Sequence, residues 1–275
     1  MTCPDTHAFP STSGAPKLNA EVQSLKSRVS DVEWQVRVQL AALYRLTALY
    51  GWDDFLATHI SARIPGPEHH FLLNPLGLWF EEVTASNLVK IDLEGNVLDG
   101  QYGINYAGFV IHSAIHAARE DAFFVVHLHT DDGVALSSQA DGLLPLNQRS
   151  LAILPHLASH EYEGIALNLD ERARLVAHLG DKHYLLLRNH GTLAIGNNAA
   201  EAWSRIYNFE KAATAQIGAL SAGRNGVLIA PQAAQDEVAR QVSRTRAPED
   251  RRRWHDLTWE AVQRKVDRES PGYDQ

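Results

Sequence analysis

The stretch Asp121-Ala-Phe-Phe-Val-Val-His-Leu-His-Thr130 decides the fold class. Its apolar run, Ala122 to Val126, does not alternate with polar residues, which is the pattern of a strand buried on both faces. Two histidines end the run. Alternate residues of a strand point the same way, so His127 and His129 project from one face at the strand's end. A second apolar run, Tyr184-Leu-Leu-Leu187, leads into Arg188-Asn-His-Gly191 and places His190 at a glycine-containing turn. Buried strands interleaved with helical patterns predict an α/β domain, with helices covering both faces of one sheet.

Outward from these strands, Ser30-Asp-Val-Glu33 has capping-box spacing and predicts a helix over residues 31–50, stopped by Gly51. Short strands are expected at 57–63 and 71–74, around the turn Pro65-Gly66-Pro67. Residues 88–93 and 97–98 flank Glu94-Gly95-Asn96 as a hairpin. Helices are predicted over 107–119, 133–138 and 170–179, and from the cap at Asn198 to about 220. Strands are predicted at 121–128, 184–188 and 192–195. After Ser221 the composition changes to a charged segment with Arg251-Arg252-Arg253, Trp254 and Trp259. This divides the chain into a disordered lead-in at 1–16, a core domain at 30–221 and a charged helical tail at 222–275. The tail is expected to pack on a neighbouring subunit.

Composition narrows the function. The 275 residues carry 33 acidic and 25 basic side chains, a net charge of −8 that disfavours a nucleic-acid partner. No apolar run approaches the ~20 residues of a membrane span, so no membrane partner is expected. Residues 1–16 have no Lys or Arg and no apolar run of signal-peptide length. Cys3 is the only cysteine, so no intramolecular disulfide can form, which fits a cytoplasmic location.

Histidine is the abundant reactive type, with fourteen copies. It ligates metals and titrates near neutrality. His127 and His129 on one rigid strand make half of a metal site. His190 suits the third position, because strands that end together in an α/β sheet share one crevice. The same His-x-His spacing also suits two rings hydrogen-bonded in a crowded turn. His112 and His116 stand four residues apart on a helix without a metalloprotease Glu, which favours packing or capping. His69 and His70 adjoin a Pro/Gly turn and are expected in solvent. His156, His160, Glu161 and Tyr162 form a polar group that suits an interface.

Six motifs occur in one order across about residues 35–220: Gly51-Trp-Asp-Asp54, Thr58-His-Ile-Ser-Ala-Arg63, Phe71-Leu-Leu-Asn-Pro-Leu-Gly77, Asn105-Tyr-Ala-Gly-Phe-Val-Ile-His112, Val125-Val-His-Leu-His-Thr130 and Leu185-Leu-Leu-Arg-Asn-His-Gly191. Together they resemble the class II aldolase/adducin family. The resemblance implies a three-layer α/β/α fold around a central, largely antiparallel sheet. It also implies a homo-oligomer, usually a tetramer with sites near subunit interfaces. The family's divalent metal, typically zinc with iron or manganese as alternatives, would be held by His127, His129 and His190.

The pattern also departs from that of the family's aldolases. Their acid/base Glu falls at Gly108, and their catalytic Tyr aligns with Gln148. Their phosphate-binding pairs resemble Thr58-His59 and Leu76-Gly77, which argues against a phosphorylated substrate. The spelling Asn105-Tyr-Ala-Gly-Phe109 is closer to the adducin head and its bacterial relatives. Adducin heads are thought to have lost the metal site, whereas all three histidines remain here.

Three functions follow. The first is a metal-dependent lyase cleaving a carbon–carbon bond of a small carbonyl or carboxylate substrate, by decarboxylation more readily than by aldol cleavage. His59, Asn74, Asn105 and Arg188 are its candidates for binding substrate. Asn74 and Asn105 equally suit turn chemistry, and Arg188 a pairing with a carboxylate. The second is a non-haem iron oxygenase at the same three histidines. The third is a non-catalytic, adducin-like binding module.

Overall fold

Ser30 caps α1 (Asp31–Leu49), its hydroxyl accepting from Glu33 N at 3.1 Å, as the capping spacing predicts. The computed structural model describes residues 25–243 and 248–275; the lead-in at 1–16 lies outside the described residues. After α1 come β1 (His59–Arg63), β2 (Phe71–Leu73), β3 (Val89–Ile91), β4 (Val97–Asp99), α2 (Tyr106–Ala118), β5 (Phe124–Leu128), α3 (Asp131–Ser137) and α4 (Gln148–Ile153). Then follow β6 (Leu157–His160), α5 (Glu171–Leu179), β7 (Tyr184–Leu187), β8 (Gly191–Gly196), α6 (Ala199–Leu220), α7 (Gln232–Ser243) and α8 (Pro248–Glu269).

The strands form one eight-stranded sheet in the order β4-β3-β2-β1-β5-β8-β7-β6. Every neighbouring pair is antiparallel except β6 and β7, which run parallel. The fold is therefore the three-layer, largely antiparallel α/β/α arrangement. Side-chain alternation sorts the central strands between two cores. Ile60, Ala62, Val126 and Leu128 pack with Leu40 and Leu43 of α1 and Trp203 and Ile206 of α6. Val125, Leu185 and Leu193 face the other way, onto Ile111 and Ile115 of α2 and Leu175 and Leu179 of α5. His59 pairs with His127 across β1 and β5, so their side chains share the α2 face.

Two elements were not expected from the sequence, α4 and β6. β6 is an edge strand in which Leu157 and Ala158 are only partly covered and Ser159 is exposed, so no apolar run marks it. The C-terminal segment packs in part on its own chain. Val262 and Val266 of α8, with Tyr273, enter the core beside α1 of the same chain. Ala85 N donates to Tyr273 O at 2.8 Å and Ser86 N to Gln275 O at 2.9 Å. Val262 and Val266 are thus covered within the chain, while Trp254 and Leu257 of the same helix stay exposed. Among the described residues, no helix is long and apolar enough to cross a membrane.

Candidate metal centre and its cavity

Leu128, the last residue of β5, pairs with Thr192 near the start of β8. That register carries His127 and His129 to the turn holding His190. Asn189 takes the left-handed conformation (φ 54°) that asparagine tolerates better than most residues. A side chain at Gly191 would collide with the carbonyl oxygen of Leu128, so only glycine lets the turn lie so close. His190 N donates to Ser137 Oγ at 3.1 Å, which ties the turn to α3.

The ligand atoms of His127, His129 and His190 all lie within 4.8 Å of one another. His127 Nε2 is 2.9 Å from His129 Nε2 and 3.3 Å from His190 Nε2. Ligand nitrogens at about 2.0–2.1 Å from one metal ion stand about 2.9–3.4 Å apart, for angles between a right angle and the tetrahedral value. The proton positions agree. His127 Nδ1 donates to the carbonyl oxygen of Thr192 at 2.9 Å, and His129 Nδ1 faces Asp54 Oδ2 at 3.1 Å. Both partners are acceptors, so both protons sit on Nδ1 and the two Nε2 lone pairs face each other. A cation between them relieves that repulsion. Carbonyl and carboxylate partners of this kind orient metal-bound imidazoles and raise their basicity.

Electrostatics favour the neutral rings that ligation needs. Burial, then the neighbouring His129, His190 and His59, holds His127 well below the ordinary imidazole range. Burial, then His129 and His160, lowers His190 to about 4. Behind the centre, Glu210 accepts from the hydroxyls of Thr130 and Thr192, bracing the two strand ends. Its carboxyl is pushed up to about 7 by burial, against the effect of those two hydrogen bonds.

His129 and His190 open onto a cavity of about 680 Å³, which Asp54, His59, Asn105 and Tyr162 also line, with His127 buried behind them. His59 lies under Gly108. A Cβ at residue 108 would stand 2.7 Å from His59 Cδ2, so the glycine makes room for this ring. Burial, then His129 and His190, lowers His59 to about 3. Asn105 does two things. Its Oδ1 caps α2 by accepting from Gly108 N at 3.3 Å, and the residue lines the cavity.

Asn74 and Arg188 are not brought to this cavity. Asn74 is buried, with Oδ1 accepting from Tyr44 Oη at 2.9 Å, and Arg188 donates to the carbonyl oxygen of Ala140 at 3.4 Å. Gln148 begins α4 and does not line the cavity either. The group at 156–162 separates. His156 stacks on His183, His160 turns inward to His178 and Glu171, and Tyr162 reaches the cavity. His69 is half-buried, and among the described residues its Nδ1 has no hydrogen-bond partner, so it is not simply solvated. His112 and His116 are fully buried in a hydrogen-bonded chain, as a packing role requires. Sequence reasoning assigned no role to Asp54, Ser61, Thr192 or Glu210. Asp54 and Ser61 do lie inside two of the quoted motifs, and this was the available signal.

Residues 38–217 match the family described as Class II Aldolase and Adducin N-terminal domain. The chain is 61% identical over 251 residues to a protein of Caulobacter vibrioides named "Putative aldolase class 2 protein", covering 91% of this chain and 96% of that one. It is 43% identical over 203 residues to alpha-adducin of Rattus norvegicus, covering 71% of this chain and 28% of the adducin. The solved structure of an aldolase II superfamily protein from Pseudomonas syringae superposes with a TM-score of 0.85 at 48% identity, covering 91% of this chain and 99% of that one. With the matched fold and the three-histidine group in place, the chain belongs to the class II aldolase/adducin family.

Proposed function

We propose that this protein is a metal-dependent carbon–carbon lyase acting on a small carbonyl or carboxylate substrate, with His127, His129 and His190 holding the cation. The observation that carries this reading is the convergence of three imidazoles, two of which have acceptors at Nδ1 that leave Nε2 bare. The name of the Caulobacter relative points the same way. A divalent cation there supplies Lewis-acid polarisation of a substrate oxygen. Zinc is the first choice, because three imidazoles leave its fourth position for substrate. A homotetramer in the cytoplasm completes the proposal.

The side chains around the cavity favour decarboxylation over aldol cleavage. Aldol chemistry needs a group that takes and returns a proton, and the space where an acid/base would project from α2 is filled by the His59 ring. Decarboxylation breaks a C–C bond, releases carbon dioxide and leaves the electron pair on the substrate carbon, to be protonated by water. No base has to remove a C–H proton first. Asn105 and Tyr162 line the cavity wall and would orient a ligand there.

The test is metal analysis of anaerobically purified protein, followed by assays of small keto and hydroxy acids for carbon dioxide release. Stoichiometric zinc with metal-dependent release supports the proposal. Bound iron with substrate-dependent oxygen consumption would replace it with an oxygenase. A protein that takes up no divalent metal would favour the binding module that the adducin relationship suggests.

A further inference from the structure

The cavity wall holds one imidazole that the three-histidine group does not use, that of His59. Its Nδ1 lies 2.8 Å from His112 Nε2. His112 Nδ1 meets Ser61 Oγ, and that oxygen is 2.7 Å from His116 Nε2. His116 Nδ1 lies 2.9 Å from the carbonyl oxygen of Ala122, where the chain ends.

That last contact fixes every proton in the series. A carbonyl only accepts, so His116 carries its proton on Nδ1 and donates it there. His59, His112 and His116 are all buried, and among the described residues no carboxylate joins the series, so nothing offsets the cost of a buried charge and each ring stays neutral. Each ring therefore has one proton. His116 Nε2 is bare, so the Ser61 hydroxyl donates to it. The Ser61 oxygen then accepts from His112 Nδ1, and the bare His112 Nε2 accepts from His59 Nδ1. What remains is His59 Nε2, a lone pair to which no described residue donates, on a ring that lines the cavity. The Ala122 carbonyl cannot take up a proton, so the chain cannot reverse. It sets a tautomer and conducts nothing to solvent.

We propose that His59 is a fixed hydrogen-bond acceptor of the cavity, and that it selects a substrate carrying a hydroxyl beside the group bound at the three histidines. The choice of substrate rests on the proposed function; the tautomer does not. His59 lines the same cavity as His129 and His190, so one small ligand can reach both features. A hydroxyl satisfies the lone pair, whereas an ether or carboxylate oxygen repels it. Ser61, His112 and His116 are positioning residues.

The experiment uses the full chain with and without zinc. Nitrogen-15 NMR of the imidazoles should show His59 protonated at Nδ1 and bare at Nε2. Ser61→Ala should give mixed tautomers at His59, and Ser61→Thr should restore the single one. In zinc-loaded protein, calorimetry with glycolate and methoxyacetate probes the hydroxyl, since both offer a carboxylate and a second oxygen but only glycolate has a donor. Glycolate should bind at least tenfold tighter, and His59→Phe should reduce that ratio at least fivefold. A protonated Nε2 in the wild type overturns the proposal. So does an unchanged ratio in a His59→Phe protein that still holds zinc. A chain that takes up no zinc overturns the three-histidine reading and its substrate choice, while the nitrogen signals still decide the tautomer.

Discussion

Gly108 and His59 fit as a pair: a methyl on residue 108 would stand 2.7 Å from His59 Cδ2 and 2.8 Å from its Cγ. The missing side chain on α2 is thus the space of a ring on β1. This pairing replaces the simple picture of an acid/base lost from the helix. Gly108→Ala should destabilise the protein by about 1–3 kcal/mol, the usual cost of overpacking a core. Urea denaturation measures it. An unchanged midpoint would mean that His59 swings aside freely.

Sugar-phosphate aldolase activity should be absent or marginal. With L-fuculose 1-phosphate, turnover should fall far below the ordinary enzyme scale of ~1–10³ per second. A positioned acid/base contributes on the order of 10²–10⁴ in rate, and Gly108 offers none. Metal-dependent exchange of the substrate's α-proton is the direct assay. Rapid exchange would show that another group serves.

Metal content should depend jointly on His127, His129 and His190. Alanine at any one should lower it sharply while the fold persists, because the sheet core lies on other residues. Asp54→Asn should weaken binding by about 10–100-fold, the usual cost of losing an outer partner. His69→Ala is the control. Full occupancy in a triad variant would remove that histidine from the site.

Stability of metal-free protein should fall as pH drops from about 6.5 toward 4. Burial lowers His59 and His116 to about 3 and His190 to about 4, and holds His112 and His127 well below the ordinary value. An unfolded histidine titrates near 6.5. Below that pH the unfolded chain binds more protons than the folded one, so each such ring costs stability as pH falls, up to ~1.4 kcal/mol per pH unit. Urea midpoints at pH 7.5, 6 and 5 test this. Equal midpoints would contradict the neutral buried chain.

Sedimentation at micromolar concentration should give a tetramer. The rim near the cavity exposes Phe55, Tyr106, Tyr162, Ile165 and Leu167, an apolar set suited to cover by a second copy. A monomer would leave that rim to another partner and weaken any role for a subunit interface at the site.

Much of this was legible in the residues. β5 (Phe124–Leu128) and β7 (Tyr184–Leu187) fall on the two apolar runs because an uninterrupted apolar run of that length is stable only when both faces are covered. Ser30 and Asn198 announce their helices, each side chain accepting from a backbone N–H three residues on, whereas the same role of Asn105 emerged only in the structure. His127, His129 and His190 could be named because each closes or follows such a run. Edge strand β6 and the packing of α8 were not legible, since a strand covered on one side and a highly charged helix carry little apolar signal.

The sequence by itself therefore determined most of the elements, the family and the choice of three candidate histidines, all of which depend on local pattern and order. Only the tertiary structure decided what surrounds them. Cross-strand register, a non-local property, set His59 opposite His127 and brought Asp54 to His129 across 75 positions of chain. It also drew His112, Ser61 and His116 into one buried series, while Asn74 and Arg188 were turned away from the cavity. Side-chain hydrogen bonds of this length exist only after the sheet has paired, because a separation of tens of residues says nothing about distance in space until the fold closes it.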